Sequence, residues 1–265
     1  MPAVLLVLLV VGVALVTAVL QSLGLMPLVG TPALSVDGYT SAWPDLFSSI
    51  QVSVAIAAVS TVLAAIVGVA AALAVAAGSR SVLGAGTITV PVPHLVGAAT
   101  IGLLLADSGL LARLFGIDGA QSLGLVGGRW WVAVIAEYTW KESAFIALVV
   151  GGTLASRVTR YDETAALLGA GRTARFRWVT LPLIAPSVVA ASAITFTYAL
   201  GSYEVALLLG RPYPEPMAVM AVRLFRSIDL TARPEAAAVA VVTSALSLLA
   251  IGVALASLRR LAVWR

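Results

Sequence analysis

Apolar residues run along this chain in six long blocks with polar punctuation between them, at roughly 4–25, 51–77, 88–107, 130–152, 181–202 and 235–257. Inside the blocks they keep neither the 3.6-residue nor the two-residue period of an element with one wet face. A helix rises about 1.5 Å per residue, so about 20 residues cross a hydrocarbon core about 30 Å thick. Each block has that length. The pattern predicts an all-α membrane protein with six transmembrane helices in one domain over residues 1–265. The first block lacks a basic leading region and is too long for the apolar core of a signal peptide, so it reads as a span. The third is the least regular, because Pro91, Pro93 and His94 fall near its start, where proline opens a helix or kinks one.

The connections differ in character. Residues 26–50 carry Pro, Gly, Ser and Asp and no basic residue, and residues 78–87 make a short turn with Arg80. Residues 108–129 hold a short apolar piece, Leu110–Phe115. Residues 153–180 are the most charged stretch. Residues 203–234 hold Arg211–Pro216 and then an amphipathic piece, Met217–Ile228. With both ends inside, the inner segments carry nine arginines (Arg80, Arg157, Arg160, Arg172, Arg175, Arg177, Arg259, Arg260 and Arg265) against six outside. The positive-inside rule therefore favours cytoplasmic ends.

Composition adds exclusions. Of 265 residues, 61% are hydrophobic and 11% charged, too few charges for a dispersed soluble domain. There is no cysteine, hence no disulfide, thiolate metal site or cysteine nucleophile. The net charge of +4 comes almost wholly from arginine, with Lys141 the only lysine, and sets topology rather than nucleic-acid binding. No phosphate-cradling Gly-x-x-x-x-Gly-Lys-Ser/Thr loop is present, so any energy from ATP must come from a partner.

Residues 162–186 hold the most informative stretch. Asp162 and Glu163 suit a helix start, Ala165–Leu168 favour helix, and Gly169 and Gly171 break it. A second short piece follows over Thr173–Val179, with Pro182 opening the fifth span. The elbow alone is compatible with an ordinary basic inner loop. Its spacing is more specific: Glu163-Thr164-Ala165, three residues, Gly169, nine residues, then Val179-Thr180-Leu181-Pro182. This resembles the signature loop of binding-protein-dependent ABC importer permeases of the type I class, with Thr164 and Val179 as conservative departures. The place of the loop between the fourth and fifth of six spans fits that family too.

The resemblance implies that the loop docks on a cytoplasmic ATPase through a coupling helix at about Ala170–Phe176. Glu163, Ala165, Gly169, Leu181 and Pro182 match the motif, and Ala170, Gly171, Arg172, Arg175 and Phe176 lie in the docking segment. It further implies an ABC ATPase homodimer that binds ATP and Mg, a second permease subunit (copy or homologue) and an extracytoplasmic solute-binding protein. The chain itself would be a transporter subunit, not an enzyme, with no cofactor of its own. Leu207–Pro216 is similar to the matching loop of polyamine, thiamine, iron and sulfate permeases.

Charges inside a span usually pair or face a cavity. Glu137 and Lys141 lie four apart on one face of the fourth span, well placed to pair, with Glu142 about 100° further round. Tyr203 and Glu204 close the fifth span. These five are the candidate pathway residues: the three of the fourth span line the pathway or hold spans together, Glu204 lines it or is an interfacial charge, and the acids suit a cation such as a polyamine. Asp107 reads as interfacial and His94 as a satisfied interfacial group, with no second His or Cys to support a metal. A proton-coupled secondary transporter, a permease for a sugar or an anion, and a non-transporting membrane scaffold remain open readings.

Overall fold

The computed structural model describes residues 2–116 and 123–263. It is helical throughout, with no strand among the described residues. The helices are α1 Pro2–Ser22, α2 Asp37–Ala76, α3 Arg80–Thr89, α4 His94–Leu105, α5 Leu110–Phe115, α6 Val132–Thr153, α7 Thr159–Leu167, α8 Arg172–Arg175, α9 Leu181–Gly201, α10 Glu204–Leu209, α11 Met217–Phe225 and α12 Arg233–Val263. Single π-turns, Leu154–Val158 and Phe176–Thr180, fuse α6 to α7 and α8 to α9, and a 3-10 turn over Leu230–Ala232 leads into α12.

Five helical stretches are long and apolar enough to cross a membrane: Val4–Ser22, Asp37–Ala76, His94–Phe115, Arg172–Gly201 and Leu230–Leu261. The remaining expected span, the fourth, is α6: it has 22 residues but carries Glu137, Lys141 and Glu142. It forms the inner column, flanked by α2, α9, α4 and α10. Its tightest partner is α2, whose buried face is a stripe of small residues, Ser53, Ala57, Ser60, Ala64, Gly68 and Ala72. Side chains of that size let two backbones approach closely, the usual basis of helix association where burial from water contributes little.

Two apolar clusters hold the bundle. One joins Leu46, Ile56, Val134, Tyr138, Leu200, Met217, Met220 and Val239. The other, on the side of the elbow, joins Ala64, Ile146, Val150, Ile184 and Ala191. The lipid-facing α1 contributes little to either and packs on α12, with a Ser22 Oγ–Tyr39 Oη hydrogen bond of 2.8 Å at its end.

Three sequence expectations need correction. The second span does not begin at 51: α2 starts at Asp37 and runs through Pro44, because Gly38, Ala42, Leu46 and Ser49 form a buried stripe at helical spacing. The third span is not continuous over 88–107. It breaks at Val90–Pro93, where two prolines withhold the N–H groups a helix needs. No new helix starts at Asp162, since α7 begins at Thr159 and continues α6 through the π-turn.

Candidate functional site

Two constellations stand out, one at membrane depth and one at the elbow. The first is built where α4 begins. Pro93 leaves the chain extended (φ −62°, ψ 145°), so α4 opens at His94 with its ring directed at α6. His94 Nδ1 lies 3.1 Å from Glu137 Oε1, and Nε2 lies 3.4 Å from Glu142 Oε1. The two acids are about 7.5 Å apart along α6, so opposite edges of one imidazole bridge them. Thr195 of α9 donates its hydroxyl to Glu142 Oε2 at 3.0 Å. Glu137 is fully buried and Glu142 nearly so. An unpaired carboxylate there would carry a desolvation cost of several kcal/mol, which the bridge offsets.

Aromatic rings enclose this bridge. The Tyr198 ring centroid is 4.7 Å from that of His94, and Tyr138 stands edge-on to Tyr198 at 6.3 Å. Gly97, one turn into α4, is a position of forced smallness: a Cβ there would meet Glu137 Oε1 at 2.8 Å. Lys141 does not pair with Glu137. It is buried and donates to the carbonyl of Thr89 at 2.7 Å and to that of Val92, in the break between α3 and α4. The helical spacing allowed an ion pair, but the open carbonyls of the break compete for the ammonium and His94 for the carboxylate.

The second constellation is the elbow. Gly169 has φ +84° and ends α7 in a Schellman arrangement: Ala170 N–H donates to Ala165 O (2.9 Å) and Gly169 N–H to Ala166 O (3.0 Å). Arg175 donates to Asp162 Oδ2 at 2.8 Å, tying α8 back onto α7. The bend thus fixed leaves Leu167 at 89% and Leu168 at 84% exposure, beside an exposed Trp178 and a partly exposed Phe176. Helical structure resumes at Arg172, not Ala170, and runs on through Leu181 and Pro182 into α9. Glu163, Gly171 and Arg172 are exposed, and Ala165 and Ala170 half-buried.

Of the expected pathway residues, Glu137, Lys141 and Glu142 lie together as described. Tyr203 and Glu204 open α10, and Glu204 is exposed with no ion pair among the described residues. Asp107 is exposed just past α4. The sequence reading missed His94 as the centre of the cluster, with Tyr138, Thr195 and Tyr198 around it. The available signal was a lone histidine following a proline inside an apolar block that also had to find buried acids a partner. Among the described residues no group of three His, Cys, Asp or Glu is placed to hold a metal.

The family described as "Binding-protein-dependent transport system inner membrane component" matches residues 65–263, well over half of the chain. Among curated proteins, the sulfate transport system permease protein CysT of Salmonella typhimurium is 29% identical over 119 residues, 45% of this chain and 43% of that protein. Its Escherichia coli counterpart is 27% identical over 150 residues, 52% of each. The chain spans about half the length or less of the curated relatives it matches. Among solved structures, a bacterial ABC transporter involved in import of the acidic polysaccharide alginate superposes with a TM-score of 0.76 at 18% identity, over 98% of this chain and 93% of that one. An amino acid ABC transporter gives 0.62 at 13% identity, over 86% and 99%.

Proposed function

The chain belongs to the family of binding-protein-dependent transport inner membrane components, and from that premise we propose that it is the membrane permease subunit of an ATP-driven importer. It crosses the membrane several times, and its work is transport rather than catalysis of its own. The observation that carries the coupling role is the elbow. The Schellman-closed bend over Glu163–Pro182 presents Leu167 and Leu168 almost fully to solvent, on backbone fused directly to α6 and α9. Two such exposed leucines, with Trp178 also exposed further along the elbow, are apolar surface that a partner groove would cover. The partner in this reading is an ABC ATPase dimer that binds ATP and Mg. A second permease subunit completes the pathway, and an extracytoplasmic solute-binding protein delivers the cargo. Counting α3–α4 as one span and α6 as another gives six crossings, with both ends cytoplasmic.

The cargo in this reading is an anion. A free carboxylate would favour a cation such as a polyamine, but Glu137 and Glu142 are both engaged by His94. The relatives named for sulfate and the structural relative named for an acidic polysaccharide agree with negative charge. The test is to replace Gly169 by Leu. Membrane insertion should persist, while copurification with the ATPase and stimulation of ATP hydrolysis by loaded binding protein should disappear. Unchanged stimulation would remove the elbow from the coupling role.

A further inference from the structure

The break between α3 and α4 poses a physical problem. Val90–Pro93 is non-helical backbone inside an apolar block, with Val90, Pro91 and Pro93 exposed on the outward side. Bare backbone at membrane depth is stable only when covered by protein or when it lines a water-filled space. On its inner side the break is held by Lys141, which donates to the carbonyls of Thr89 and Val92. Immediately after it, His94 is held by Glu137 and Glu142. Two side-chain grips from one column, α6, thus clamp both sides of a proline-broken helix.

We propose that this break is the gate of the translocation pathway, closed by the His94 bridge and set in place by Lys141 as a positioning residue. The inference rests on the permease reading above and names the part that opens. With the bridge made, α4 lies against α6 and Ala98, one turn past His94, is fully buried. With the bridge broken, α4 swings on the Val90–Pro93 hinge and its inner face meets water.

The bridge also needs a proton. Both ring nitrogens face carboxylate oxygens, so the trio holds one proton more than a neutral imidazole with two carboxylates. Its removal turns a ring lone pair toward carboxylate lone pairs and opens the contact. The groups facing His94 are Glu137, Tyr138 and Glu142 of α6 and Tyr198 of α9, while the charge of Lys141 on α6 is turned to the carbonyls of the break. The titratable residues on the other elements packed against α4 are Glu204 of α10 and Arg113 of α5. No other histidine exists in the chain, so the imidazole that takes part in the bridge is unambiguous.

The absence of cysteine makes the test direct. Ala98→Cys is introduced into the full chain, co-expressed with its ATPase and second permease. Labelling by a membrane-impermeant maleimide is followed in membrane vesicles. The cysteine should be protected when His94 is present and label at least about tenfold faster with His94→Gln. Lys141→Met should open it too, while Lys141→Arg, which keeps donors, should leave it closed. With His94 intact, alkaline medium should speed labelling beyond the increase at an exposed control, Ser81→Cys, which reports thiol ionisation alone. This arm stands even if the His94 variant fails to insert. Equal labelling of Ala98→Cys with either residue at 94, or no excess over Ser81→Cys with pH, would overturn the gate. Leu167→Cys separates the two readings: if it labels equally with and without the ATPase, the docking assignment fails whatever happens at Ala98.

Discussion

Lys141 is buried, and its ammonium donates to the carbonyls of Thr89 and Val92 at the break, where the Thr89 carbonyl also accepts the Val92 N–H at 3.2 Å. Lys141→Met removes those donors from a buried site, which costs about 1–3 kcal/mol by general experience with unsatisfied groups. The expected outcome is a midpoint of thermal unfolding in detergent lower by several degrees, with Arg259→Ala as a surface control. Equal midpoints for the two variants would show that water reaches the break and serves the carbonyls. Arg175 should behave differently. Its pair with Asp162 is partly exposed, so Arg175→Ala should move the midpoint little, under about 1 kcal/mol. Its effect should appear in ATPase stimulation, because the bend of the elbow loosens. At this scale the sequence showed which residue types were unusual but not whom they meet. Glu137 and Lys141 are four apart, and helix geometry alone pairs them. His94 and Thr89 come from 43 and 52 positions upstream and take both, a competition that local spacing does not encode.

Among the elements, α2 is instructive. Its N-terminal extension packs beneath α11, and the hydroxyl of Ser53 accepts the Met217 N–H at 2.8 Å while Ser49 donates to Met220 Sδ. Ser53→Ala leaves that first N–H of α11 without its partner, at about 1 kcal/mol. Hydrogen exchange at the Met217 amide should accelerate while amides of α6 stay protected; no change at Met217 would mean that the contact with α2 is not what anchors α11. The extension was hidden from the sequence by Pro44 and by Ser, Asp and Thr, which read as loop. Tertiary burial of Gly38, Ala42 and Leu46 overrides them. The opposite held for the third block, whose hydropathy concealed a break that its prolines announced. The turn at Gly169, by contrast, was readable, since glycine after an alanine- and leucine-rich stretch is the ordinary close of a Schellman cap.

Across the whole molecule, six apolar blocks were enough for the fold class, because in lipid only helices satisfy their own backbone along a span of this kind. Orientation rests on arginine counts and is open to a plain check. A fluorescent protein fused after residue 263 should fold and glow, and alkaline phosphatase inserted near residue 127 should be active; the reverse pattern would invert the topology. The six-block pattern could not show that α6 would be the protected column rather than one lipid-facing span among six. Its charges hinted at that, and only the bundle reveals that α2, α4, α9 and α10 surround it.

The π-turns carry one mechanical implication. Because α6 runs into α7, and α8 into α9, with no loop between, the elbow is a crank welded to two shafts. From Leu167 to Glu142 the path along continuous helix is about 37 Å at 1.5 Å per residue. A tilt of about 5° imposed at the elbow would displace the far end by about 3 Å. That is the length of the His94–Glu137 contact itself, 3.1 Å. A crank with no slack in it needs only a small turn to part so short a contact, and softening either weld, by glycines in the π-turn, should cost stroke at the far end.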